Sequence, residues 1–184
     1  MSSAGPARTL STPPSRAVAK LSRGPGRSSP PSWSEATAKP VIPAVVDVVC
    51  DASVVLKWFH AEGEEEVGES RALLDLHRSR RAALCVLDLT MYEVGNALMR
   101  GMRVPADRAR VVIEALDAIC PRLPVTTLQL ADALVLAEHH GLTVYDAVYA
   151  SVALSRHARL ATLDRLLLEA GLGERPSEIV SRLA

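Results

Sequence analysis

Val45-Val46-Asp47-Val48-Val49-Cys50-Asp51-Ala52-Ser53 changes character at Asp51. The residues before it are a nearly continuous β-branched run, the composition of a strand buried on both faces of a parallel sheet. From Ala52 to His60 the pattern reads as a short helix. Asp51 stands at the junction, a carboxylate beside a hydrophobic run, where burial is costly unless the charge is compensated. A strand that ends in an acid and passes directly into a helix is the building unit of an α/β fold. In such folds the reactive crevice lies at the carboxyl ends of the strands.

The rest of the chain repeats the alternation. Residues 64–81 form a polar helix with Val67, Leu73, Leu74 and Leu76 along one side, and Ala83 to Leu87 a second strand. A helix over 90–100 is stopped by Gly101, and another follows over 105–119 with Pro in its first turn. A short strand at 123–126 precedes a helix over 127–140 that ends at Gly141. Then come a helix over 145–157, a strand at 160–162 and a last short helix over 164–170. Strands alternating with helices predict an α/β/α sandwich around a mainly parallel sheet.

Four acids stand next to these elements: Asp51, Glu93, Asp146 and Asp164. Each has an ordinary structural explanation. Asp51 and Asp164 precede helices and suit N-caps. Glu93 follows Thr90 by three residues, the spacing of a capping box, and Asp146 lies in a first turn where the helix dipole favours a negative charge. If the fold brings the four together, their mutual repulsion calls for a cation. An oxygen-only ligand set suits a hard ion such as Mg²⁺ or Mn²⁺.

Composition narrows the classes. The 184 residues, 48% of them hydrophobic, suffice for one domain with a real core. No stretch approaches the roughly 20 apolar residues of a membrane span. The zero net charge hides an asymmetry, because residues 1–40 carry six Lys/Arg against Glu35 while the remainder carries fifteen basic and twenty acidic residues. That first segment is rich in Ser, Pro, Ala, Gly and Arg and reads as a disordered tail, with a faint likeness to a transit peptide. Residues 41–184 form the folded domain. Its acidic surplus argues against broad adhesion to nucleic acid, although a bound divalent ion inverts the local sign. Cys50, Cys85 and Cys120 lack C-x-x-C spacing and read as buried, reduced thiols of a cytoplasmic protein.

Other chemistries lack their motifs. There is no H-E-x-x-H, G-x-S-x-G or G-x-x-x-x-G-K-[ST]. His139-His140 closes a helix, where imidazole meets the negative end of the dipole. Glu64-Glu65-Glu66 reads as the solvated first turn of a helix. With 3% aromatic residues, a stacking platform for single-stranded nucleic acid is not expected.

Taken together and in order, four stretches resemble the PIN-domain family, and within it the VapC-like toxins of toxin–antitoxin pairs. They are Asp51-Ala52-Ser53-Val54-x-x-Lys57-Trp58, Glu93-Val94-x-Asn96-Ala97-Leu98, Leu142-Thr143-x-Tyr145-Asp146-Ala147-x-Tyr149 and Thr162-Leu163-Asp164. The resemblance spans about residues 45–181, and its most specific piece is Tyr145-Asp146-Ala147-x-Tyr149. It implies a PIN-like three-layer α/β/α sandwich in which Asp51, Glu93, Asp146 and Asp164 converge around one or two Mg²⁺ or Mn²⁺ ions. It also implies an endoribonuclease that acts as a homodimer and is held inactive by an antitoxin whose C-terminal segment blocks the acidic groove. Asp51 and Asp146 are then the direct metal ligands. Glu93 and Asp164 bind a second ion, hold metal-bound waters or activate the attacking water.

Ser53 and Thr162 would orient the acids, and Lys57, Arg100 or Arg165 either touch substrate phosphates or form salt bridges. Two other functions fit the same acids: a non-catalytic protein- or RNA-binding module, and a metal-dependent DNA nuclease.

Overall fold

The computed structural model describes residues 45–60 and 65–184. The disordered-tail reading of residues 1–40 and the Glu64 helix start lie outside the described residues. Four strands form the sheet: β1 (Val46–Cys50), β2 (Ala82–Leu87), β3 (Arg122–Leu123) and β4 (Arg159–Ala161). Their order is β3-β2-β1-β4, and every pairing is parallel. The helices are α1 (Ala52–Phe59), α2 (Val67–Arg78), α3 (Asp88–Asn96), α4 (Ala106–Ile119), α5 (Thr127–His140), α6 (Val144–Ser155), α7 (Arg165–Glu169) and α8 (Pro176–Leu183).

Alternation along the strands creates the three layers, because successive side chains point to opposite faces. Val48 and Cys50 of β1, with Leu84 and Val86 of β2 and Ala161 of β4, pack into one core with α1, α2, α3, α4 and α8. Val49, Cys85, Leu87 and Leu160 face the other way, into a core shared with α5, α6 and α7. The central strand β1 is therefore covered on both sides, as its continuous apolar run requires. The layering and the parallel sheet agree with the expected sandwich. Cys50, Cys85 and Cys120 are buried and unpaired, also as expected.

Several boundaries differ from the sequence reading, each for a local reason. The third strand is two residues long because Pro124, which has no N–H, cannot extend the ladder. Helix α3 starts at Asp88 rather than Thr90. Its Thr90 hydroxyl accepts a hydrogen bond from the Leu87 N–H at 3.0 Å, so Thr90 serves the cap that Glu93 was expected to serve. The helix widens at its end into a π-helical turn over Ala97–Gly101. Glu66 is not a solvated first-turn residue: its carboxylate accepts from the Ser177 N–H at 2.9 Å and the Ser177 hydroxyl at 2.6 Å.

That contact secures α8, an element outside the sequence reading, against the start of α2. The preceding segment runs beside β4, with the Thr162 N–H donating to the Glu174 carbonyl at 3.0 Å and the Glu174 N–H to the Leu160 carbonyl at 2.8 Å. The Glu174 carboxylate also takes both Arg159 and Arg182. Among the described residues, no helix is long and apolar enough to cross a membrane.

Candidate active site

Strand β1 delivers Asp51 to the carboxyl edge of the sheet, and β4 delivers Thr162 beside it. The Asp51 Oδ2 atom accepts two hydroxyl hydrogen bonds at 2.7 Å, one from Ser53 and one from Thr162. Each hydroxyl is itself fixed by a backbone N–H, Ser53 by Leu163 at 3.0 Å and Thr162 by Asp164 at 3.0 Å. Asp51 is only 8% exposed and Thr162 fully buried. Burial pushes the Asp51 carboxyl above the usual carboxylate range. The bonds from Thr162, Ser53 and the Ala52 backbone oppose that shift, and the negative charge of Asp146 adds to it.

Gly173 makes room for this arrangement. A Cβ on that residue would lie 2.4 Å from the Thr162 Cγ2 atom. The threonine that orients Asp51 is thus backed by a position with no space for a side chain.

Glu93 projects from the middle of α3 and is half-buried. Its Oε2 accepts from the Tyr149 hydroxyl at 2.5 Å, and that hydroxyl also pairs with the Thr90 Oγ1 at 2.9 Å. Donor directions follow from the ends of this chain. The Leu87 N–H gives to Thr90, leaving the Thr90 proton for Tyr149 and the Tyr149 proton for Glu93. Burial raises the Glu93 carboxyl, Tyr149 holds it down, and the charges of Asp51 and Asp146 raise it further. The Tyr149 hydroxyl is pushed well up by burial and by the Asp51 and Glu93 charges, so it stays protonated and donates.

Asp146 sits in the first turn of α6, with Oδ2 accepting from the Thr143 hydroxyl at 2.6 Å. Asp164 caps α7, and its Oδ1 accepts from the N–H groups of Leu166 at 2.9 Å and Leu167 at 3.0 Å. A common pattern results. In each acid these hydrogen bonds fall on a single oxygen, and the other oxygen accepts none of them.

Asp51, Glu93 and Asp146 lie within electrostatic reach of one another. Asp164 is joined to them through its own backbone N–H and Thr162. Among the described residues, no three His, Cys, Asp or Glu side chains stand close enough together to hold a metal ion. Like charges at this range repel. The donor set itself, carboxylate and hydroxyl oxygens without thiol or imidazole, is the chemistry that a hard divalent ion prefers.

The basic candidates divide. Arg165 pairs with Glu169 at 2.8 Å along α7, so a salt-bridge role holds for it. Lys57 lines a shallow depression with Ser53, Leu56, Met102 and Leu163, and Arg100 is exposed on the π-helical turn. His139 and His140 meet edge to face on α5.

Sequence reasoning gave Thr90 only a helix-capping role and assigned none to Thr143, Tyr149 or Gly173. The i, i+3 spacing of Thr143 and Asp146 was a signal for one contact. Nothing local marked Tyr149 as the partner of Glu93, because that pairing crosses between helices.

The family model described as the PIN domain matches residues 48–171. Over 127 residues the chain is 37% identical to "Ribonuclease VapC3" of Pyrobaculum aerophilum, covering 66% of this chain and 92% of that protein. It is 38% identical over 89 residues to "Exonuclease VapC9" of the same organism, covering 48% of this chain and 67% of that protein. A crystal structure of a P. aerophilum protein superposes with a TM-score of 0.57 at 28% identity, covering 75% of this chain and 89% of the other. A toxin–antitoxin complex from Klebsiella pneumoniae shares the fold with a TM-score of 0.52 at 15% identity, covering 70% of this chain and 97% of the other.

Proposed function

The chain belongs to the PIN-domain family, and on that premise we propose that it is a divalent-metal-dependent endoribonuclease, the toxin of a toxin–antitoxin pair. The observation that carries this reading is the shared state of Asp51, Glu93, Asp146 and Asp164, each of which takes its hydroxyl or α7 N–H hydrogen bonds on one oxygen. Single-oxygen ligation by a few carboxylates, with waters filling the remaining positions, is how Mg²⁺ is usually bound. Asp51 and Asp146 would hold the ion. Glu93 and Asp164 would hold a second ion or the waters around it. Bound Mg²⁺ or Mn²⁺ supplies a nucleophile from water at neutral pH and neutralises charge on the phosphate.

The chain's own groups prepare the site. Ser53 and Thr162 oppose the effect of burial on the Asp51 carboxyl and fix its orientation. Tyr149 does the same for Glu93, with Thr90 behind it. Thr143 fixes Asp146, and the start of α7 fixes Asp164. Second-layer hydrogen bonds of this kind set both ligand orientation and affinity.

The relative named as a ribonuclease supports RNA as substrate. The toxin–antitoxin complex of the same fold supports a protein partner. An antitoxin segment bearing arginine would pair bidentately with these carboxylates. Homodimer formation has support from the outer face of α5, where Leu128, Leu134 and Val135 are exposed. Residues 41–184 are the nuclease domain, and the cytoplasm is the place of action.

The test is incubation of total RNA with the purified protein and Mg²⁺, Mn²⁺ or EDTA, beside Asp51→Asn, a circular RNA and single-stranded DNA. Discrete metal-dependent fragments, opening of the circle and silence of the variant are expected. A protein that degrades only from free ends, or prefers DNA, refutes the endoribonuclease assignment.

A further inference from the structure

The chain has three tyrosines, and all of them gather about Glu93. Tyr149 donates to its carboxylate. Tyr92 and Tyr145 line, with Leu89, Glu93 and Asn96, one open depression of about 270 Å³. Unlike Tyr149, these two are turned to solvent, with Tyr92 76% and Tyr145 65% exposed. Among the described residues, the Tyr92 and Tyr145 hydroxyls and the Asn96 amide have no hydrogen-bond partner. Low aromatic content argued against a stacking surface. The fold nonetheless gathers the three tyrosines at one acid.

We propose that this depression is a nucleobase slot, in which an unpaired base next to the scissile phosphate stacks on Tyr92 and Tyr145 over Leu89. The Asn96 amide, with one acceptor and two donors, meets the edge of that base. The inference rests on the RNA-cleaving reading above and names what the substrate must offer. Aromatic faces bind any base through its π-surface, which is how single strands are held without strict sequence preference. Bases in a duplex are already stacked and cannot enter, so the slot selects loops and unpaired stretches. Its volume lies below the roughly 300–1,000 Å³ of drug-sized sites, which suits one base. Its position beside Glu93 places that base within a nucleotide of the reacting phosphate.

The experiment measures binding without turnover. Asp51→Asn protein is titrated in Mg²⁺ with a labelled mixed-sequence 12-nucleotide RNA, with the same RNA paired to its complement, and with a fully abasic version of it. Tyr92→Ala and Tyr145→Ala should each weaken binding of the single strand about tenfold, while Tyr92→Phe and Tyr145→Phe stay within about twofold. On abasic RNA the alanine penalty should vanish. Equal losses on normal and abasic RNA, or no loss on either, overturn the slot. Cleavage by the wild-type domain is assayed separately. Metal-dependent cleavage that survives both alanine changes removes the slot and leaves the nuclease reading intact. Base-dependent binding in a protein that never cleaves leaves the slot standing and removes the nuclease reading.

Discussion

Tyr149 and Glu93, on different helices, meet oxygen to oxygen at 2.5 Å. The tyrosine supplies the one hydrogen bond that opposes the upward push on the Glu93 carboxyl. Tyr149→Phe removes it while leaving Thr90 bonded to Leu87. Glu93 then ionises only at still higher pH. The acid limb of the pH–rate profile should therefore move to higher pH, with kcat down about tenfold at neutral pH. Stability should fall by about 1.5–3 kcal/mol, the range for hydrogen bonds to charged groups. An unmoved acid limb would show that Glu93 does not need its tyrosine.

Asp51 predicts a variant that is dead yet sturdier. Its folded carboxyl is raised above its unfolded value, so ionisation favours the unfolded chain. That penalty is absent below the unfolded value near pH 4 and grows as pH rises through the raised folded one. In EDTA, Asp51→Asn should be more stable than wild type at neutral pH by about 1–2 kcal/mol, with the gap closing in acid. Cleavage should be lost altogether. Chemical denaturation at several pH values checks the first claim, and an RNA gel the second.

Metal binding should reverse that order. An ion that binds only the folded state stabilises by about 2.7 kcal/mol at a hundredfold excess over its Kd. Mn²⁺ should raise the wild-type Tm by several degrees and leave Asp51→Asn nearly unmoved. Equal shifts in both proteins would place the ion elsewhere.

Gly173 lies outside every motif read from the sequence, yet its replacement should damage the site. A Cβ there would sit 2.4 Å from the Thr162 methyl, and the glycine's backbone is tied to a segment paired with β4. Gly173→Ala must displace Thr162, loosening its bond to Asp51. Overpacking of this kind costs about 1–3 kcal/mol. Activity should fall more than stability accounts for, and Thr162→Ala in the same chain should relieve the clash without restoring activity. A fully active Gly173→Ala protein would count against Thr162 as the group that orients Asp51.

Strand β1, the helices that end at Gly141 and near Gly101, and the parallel sheet were legible because each is written in consecutive residues. Val45 to Cys50 has one reading as a buried strand. Thr127 to His140 has matching signals at both ends. The acids were legible as positions, and their partners were not. Glu93 looked like half of a capping box, since sequence spacing cannot show that α3 begins two residues before Thr90. Tyr149 could be matched to Glu93 only once α3 and α6 were placed over the same sheet edge. The short third strand was overextended through Pro124, a residue whose missing N–H was visible throughout.

The Thr162–Asp51 hydrogen bond also has a consequence in time. Asp51 is synthesised before Thr162 and the Gly173–Glu174 segment that backs it, and 111 positions separate the two hydrogen-bonded side chains. A growing chain therefore holds Asp51 without the partner that orients it until those further residues have been added.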